Sequence, residues 1–341
     1  MSIFAGDATP LNLALQGGGA HGAFTWGVLD ALLEDGSFRF EGVSGTSAGA
    51  MNALCLAHGL MTGGNDGARE ALARFWLTVA DSSPFSGGSD GTPRVSPALK
   101  MMLLWTDHLT PEQLNPLALD PLRDILGEQF DFARLRRDCP VKLFIAATHA
   151  NSGKLRIFHN GELSVDTMLA SACLPTIHRT VKIDGEPYWD GGYSANPAVF
   201  PLAYECAAPD ILLILLTPLR FTETPASAAD IRVRLRELSF NSTFLREMRM
   251  FAHMREQIGH AWLPSWLPLG RLDRRIGRLR FHAITAEALF GELPADSKLS
   301  VSRPFFERLR DSGREHAQQW LVTHRANVGK EATLDLGKLF Y

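Results

Sequence analysis

Residues 42–59 read GVSGTSAGAMNALCLAHG, and their reading decides the fold. Phe38, Phe40 and Val43 lead in as a short apolar strand, while Ala50, Met51, Ala53, Leu54 and Leu56 lead out as a helix. Between them Gly45-Thr46-Ser47-Ala48-Gly49 fits G-x-S-x-G, the strand-to-helix turn that lifts a nucleophilic serine to the edge of a sheet. The flanking glycines suit a turn that forces strained dihedrals and lets another strand come close. A serine there also stands at a helix N-terminus, where free N–H groups and the helix dipole favour a developing negative charge.

Upstream, residues 11–16, LNLALQ, form a compact apolar strand, followed by Gly17, Gly18 and Gly19. A helix comes next, with Phe24, Val28, Ala31 and Leu32 on its apolar face and Gly36 placed to end it. Strand, glycine turn, helix, strand, turn and helix in succession predict an α/β fold. The expected form is a three-layer α/β/α sandwich around a mainly parallel central sheet.

Downstream, residues 67–81 suit an amphipathic helix with Leu72, Phe75, Trp76 and Val79 inward. The Gly/Ser/Pro-rich residues 82–98 predict a surface loop. It runs into the apolar helix candidate LKMMLLWTDHL, residues 99–109, so that 82–109 is a candidate lid over an apolar cleft. Residues 141–147 predict a buried strand, Leu155–His159 one arm of a hairpin, and residues 176–190 alternate toward Trp189-Asp190-Gly191-Gly192. Residues 210–217 form the most hydrophobic strand, expected at the centre of the sheet. A helical region over 234–254, a last strand Arg278–Ile284 and a charged C-terminal helix complete the chain. With no internal repeat or domain boundary, one domain is expected over 1–341. Its core would be 11–217, with a helical, basic extension over 218–341.

Bulk composition excludes several classes. At 341 residues, 45% hydrophobic and 21% charged, the chain has ample material for a globular core. A net charge of -3 gives no global pull toward nucleic acid. The start MSIFAGDATPLN lacks the basic-then-apolar pattern of a signal peptide, and no apolar run reaches the length of a spanning helix. The four cysteines have no C-x-x-C spacing, so neither a disulfide framework nor a zinc site is expected. The expected compartment is the cytoplasm.

The glycine turn Gln16-Gly17-Gly18-Gly19-Ala20-His21-Gly22 admits two readings. Gly17-x-Gly19-x-x-Gly22 after a strand fits the dinucleotide fingerprint, with Glu41 where a ribose-binding acid would fall, as in a nucleotide-binding oxidoreductase. The other reading is an oxyanion hole of backbone N–H groups. The second is preferred, because the strand carrying Glu41 runs straight into the serine elbow. A parallel sheet also sets the ends of its first two strands side by side. Asp190, between aromatics and a glycine pair, suits a partly desolvated carboxylate. Burial would raise its pKa and make it a better base for a serine proton.

In this order GGGAHG, GTSAG and DGG resemble the patatin-like phospholipase family, and the likeness extends through residues 170–202 to cover 11–217. The resemblance implies a lipid acyl hydrolase working by a Ser–Asp dyad without histidine. Ser47 would be the nucleophile, Asp190 the base, and the backbone of Gly17, Gly18 and Gly19 the oxyanion hole, with no cofactor and no metal. An acyltransferase using the same acyl-serine is the nearest alternative. The family often has Arg or Lys before the last glycine of the first motif. Here that position is His21, a candidate contact for an anionic head group that would depend on pH. A Ser-His-Asp triad would draw on His253, His260 or His282, none of which stands in a motif.

One stretch points to a membrane surface. Trp262 and Trp266 stand in WLPSWLPL, and residues 270–282 carry five arginines, among them Arg271, Arg274 and Arg275, against one aspartate. Indoles beside arginines suit headgroup-level contact, and a Pro-rich connector with a solvated basic face suits the same residues. The oligomeric state is not encoded in any of these patterns.

Overall fold

The computed structural model describes residues 8–82, 92–93, 109–116, 119–221, 223–260 and 270–341. The candidate lid over 82–109 lies almost wholly outside the described residues, as do Trp262 and Trp266.

The chain opens with β1 (Thr9–Leu15), α1 (Gly22–Asp35), β2 (Phe38–Thr46) and α2 (Ala48–Asp81). The predicted helix over 67–81 is the second half of α2, which is kinked where Gly63 and Gly64 leave helical geometry. After short helices at Pro111–Leu114, Pro121–Gln129 and Phe132–Asp138 come β3 (Lys142–His149), β4 (Leu155–Phe158), α3 (Val165–Ser171), β5 (Val181–Ile183) and β6 (Glu186–Asp190). The rest comprises α4 (Phe200–Glu205), β7 (Asp210–Leu215), α5 (Ala228–His260), α6 (Arg271–Arg278), β8 (Arg280–Thr285), α7 (Arg303–His324) and α8 (Leu336–Phe340).

All eight strands join one sheet. β3, β2, β1, β7 and β8 pair in parallel in that order. β4, β5 and β6 add antiparallel pairings beside β3, so the sheet is mixed about a parallel centre. The β5–β6 hairpin turns at Asp184-Gly185, both at positive φ, as a tight turn between twisted strands requires.

Strand periodicity separates two hydrophobic layers. Leu11, Leu13 and Leu15 of β1 and Leu212 and Ile214 of β7 pack with α1, α2 and α7. Ala14, Ile211, Leu213 and Leu215 point the other way, toward α4, α5 and α8. The result is the expected α/β/α sandwich. Among the described residues, no helix is long and apolar enough to cross a membrane.

Candidate active site

The elbow is built by close approach. A side chain on Gly45 would come within 2.5 Å of the Gly49 carbonyl, and one on Gly49 within 2.1 Å of the Leu15 carbonyl. Only glycine at both places lets β2 turn straight into α2 beside β1. Ser47, between them, is held at φ 54, ψ -121, outside the regions ordinary residues favour. Its N–H donates to Ser171 Oγ at 3.0 Å, and the preceding Thr46 hydroxyl donates to the Ala195 carbonyl at 2.9 Å. Ser47 is half-buried at the N-terminus of α2, as the motif predicts.

Asp190 reaches it through the register of β3. Ile145 and Ala146 pair with both β2 and β4, while Ala147 and Thr148 pair with both β4 and β6. A strand has two edges, so β2 and β6 share the edge opposite β4. β2 ends at Thr46 opposite Ala146, and β6, running the other way, ends at Asp190 opposite Ala147. The two strands meet head-on, which brings the Ser47 hydroxyl close enough to the Asp190 carboxyl to favour its charged form. Asp190 is 1% exposed. Burial pushes its pKa up to about 6, although the Gly192 N–H donating at 2.7 Å and the Ser47 hydroxyl both favour the charged form.

The glycine turn lies beside Ser47, with the Gly17 N–H donated to Asn196 Oδ1 at 2.7 Å. Of the three glycines expected to supply the oxyanion hole, Gly17 thus has its N–H already engaged. Among the described residues, the N–H groups of Gly18 and Gly19 meet no acceptor. Gly19 has φ +56, and a side chain there would strike the Lys298 carbonyl at 2.3 Å. Gln16 ties the turn down with its whole amide. Its Oε1 accepts from Leu216 and Thr217 N–H, and its Nε2 donates to the Asn196 carbonyl and Asn241 Oδ1. Phe240 of α5 covers the other half of the site, where a side chain on Gly192 would meet its ring at 2.4 Å.

Several expected contacts are elsewhere. His21 is 2% exposed, with Nε2 bonded to Ser297 Oγ at 2.8 Å and its ring stacked on Phe290. Burial, with Lys298 nearby, drops its pKa to about 3, so it is neutral and offers no charge to a head group. Glu41 accepts from Ala207 and Ala208 N–H and pairs with Lys142 toward the far end of the sheet, away from the glycine turn. His282 is buried against Asp210 at 3.0 Å, at the N-terminal ends of β7 and β8 and thus at the edge opposite Ser47. His253 bonds the Tyr341 hydroxyl, and the side chain of His260 lies outside the described set. Arg274 and Arg275 line a hollow with Ala207, Ala208 and Pro209 at that same far edge; the Arg271 side chain is not described. Among the described residues, no group of three or more His, Cys, Asp or Glu could hold a metal ion.

A hollow of about 440 Å³ adjoins the site through α3. Leu122, Leu169, Ala172, Ile177 and Val181 line it, and Cys173 on its wall accepts the Asp190 N–H at 2.8 Å.

The sequence model of a family described as patatin-like phospholipase matches residues 13–203. No curated protein matches the chain. Among solved structures, VipD from Legionella pneumophila is 17% identical, with 94% of this chain and 68% of that one covered and a TM-score of 0.43. The type III effector protein ExoU is 16% identical, with 91% and 53% covered and a TM-score of 0.29. A chain from the complex of full-length SpcU with full-length ExoU of Pseudomonas aeruginosa is 15% identical, with 95% and 80% covered and a TM-score of 0.30.

Proposed function

Because the chain belongs to the patatin-like phospholipase family, we propose that it hydrolyses fatty-acyl esters of lipids through a Ser47–Asp190 dyad and an acyl-enzyme. The observation that carries this reading is the head-on meeting of β2 and β6, which sets the Ser47 hydroxyl against a buried carboxylate. Asp190 takes the Ser47 proton as Oγ attacks the acyl carbonyl, and the Gly18 and Gly19 N–H groups receive the oxyanion. The carbonyl re-forms as the alcohol leaves with the proton from Asp190, and the acyl group remains esterified to Ser47. Water, deprotonated by Asp190, then attacks that ester, and the collapse returns the serine and releases the fatty acid. The hollow beside α3, where Leu122, Leu169, Ala172, Ile177 and Val181 stand together with the charged Asp120, Arg123, Asp166, Arg179 and Lys182, is the place proposed for the acyl chain.

The test is covalent labelling by a fluorophosphonate together with cleavage of a p-nitrophenyl ester. Ser47→Ala should lose both, and Asp190→Asn should lose turnover while the fold stays intact. Full turnover by either variant overturns the dyad. Transfer of the acyl group to an added alcohol in preference to water would favour the acyltransferase.

A further inference from the structure

We infer that the outer face of the first half of α5 docks on an anionic lipid bilayer, an inference that rests on the lipid substrate proposed above. The inner face of this helix belongs to the site: Glu237 lies 4.0 Å from Lys298, Phe240 covers Gly192, and Asn241 bonds Gln16. One stretch of helix therefore spans both the glycine turn and the Asp190 turn, and its outer face rims the Ser47 end of the sheet.

On that outer face Ile231, Leu235 and Leu238 are 42%, 60% and 47% exposed. Their spacing puts them on one stripe. They are three of the nine large hydrophobics that stand exposed among the described residues, gathered within eight positions. A stripe of this kind gains nothing from water, and it is flanked by the exposed Arg232 and Arg236, neither of which forms an ion pair among the described residues. Of the nearby acids, Glu237 faces inward toward Arg234 and Lys298, while exposed Asp230, which accepts from Ser227, and exposed Glu223, whose carbonyl accepts from Arg234, lie at the start of the helix and offset part of this positive charge.

Apolar side chains at headgroup depth beside a row of cations fit a bilayer carrying negative lipid. The geometry favours this face over the arginines of α6. Those line the opposite edge of the sheet, where contact with a membrane would point Ser47 away from it.

The test is co-sedimentation of the full chain, carrying Ser47→Ala so that vesicles survive, with phosphatidylcholine vesicles and with vesicles containing phosphatidylglycerol. Leu235→Ser with Leu238→Ser should weaken binding to the mixed vesicles by about tenfold or more. Arg232→Gln and Arg236→Gln should each weaken it about fivefold, and only where phosphatidylglycerol is present. In the Ser47 parent, the same changes should leave the unfolding midpoint and cleavage of a soluble ester unchanged. Vesicle binding that survives the leucine changes overturns the proposal. So does an oligomer that they split while vesicle binding persists, which would assign the stripe to a second copy of the chain. Binding is read without turnover, so a chain that binds vesicles but cleaves no ester overturns the proposed reaction and leaves the docking face standing.

Discussion

Ser47 and Asp190 meet along a single edge of β3, one following Thr46 opposite Ala146 and the other opposite Ala147. The proposed nucleophile and base are thus set by hydrogen-bond register, which slips only in whole-residue steps. Long flexible side chains are not needed to bring them together.

With burial holding the Asp190 pKa at about 6, kcat/KM for a soluble ester should rise with pH through a midpoint near that value and then level off. His21 is neutral throughout this range and should add no second limb. A bell-shaped profile, or one that His21→Asn displaces, would count against the assignment.

Asp190 should also cost the fold stability. Its folded pKa stands above the ordinary 3.8, so its contribution is fully present below pH 3.8 and lost as pH rises through about 6. Above that pH, Asp190→Asn should raise unfolding free energy by about 3 kcal/mol in urea titrations, and the gain should vanish near pH 4. A variant less stable than the parent at pH 8 would show that the carboxylate's hydrogen bonds outweigh its desolvation.

Asn196→Ala removes both side-chain contacts to Gly17, the Oδ1 that accepts its N–H and the Nδ2 that donates to its carbonyl. We expect kcat to fall by about 10- to 100-fold with little change in KM, since the turn would be misplaced where an oxyanion develops. Steady-state kinetics on a soluble ester separate the two constants, and an unchanged kcat would mean that Gln16 alone holds the turn.

At the opposite edge, Asp210 accepts from Arg280, His282 and the Gly329 N–H, which together draw its pKa down to about 2. Its stabilisation is complete above pH 3.8 and is lost as pH falls through about 2. Asp210→Asn should destabilise the chain by about 3 kcal/mol at neutral pH, read by denaturant unfolding. Soluble-ester turnover at a temperature where the variant stays folded should be unaffected, and a loss there would revive a role for His282.

The order of elements was legible because it rests on periodicity, glycine turns and caps, all local. The Asp190-bearing hairpin was less so. Its alternation marked strands, but nothing in residues 176–190 says that β6 enters the sheet antiparallel, on the edge β2 has just vacated. That depends on which strand offers a free edge, a fact about the whole sheet. His21 misled for a related reason. Its place in the motif suggested a group facing the ligand, yet the ring is covered by Phe290 and Ser297, more than 250 residues along the chain. The work of Gln16 carried one visible sign, a long amide closing an otherwise apolar strand. Ser171 stands in the stretch 170–202 that resembles the family, whereas Lys298 carried no sign, since a backbone carbonyl is present everywhere.

The bracing of the glycine turn by Lys298 has a bearing on when a chain can act during its own synthesis. The ribosome delivers Gly19 and Ser47 early, whereas the carbonyl that closes on Gly19 and the Phe240 ring that closes on Gly192 come much later. Until then the turn at φ +56 has no wall behind it. A half-made chain would hold its proposed nucleophile beside a glycine turn not yet braced, so the proposed ester hydrolysis would arise only once translation had passed residue 298.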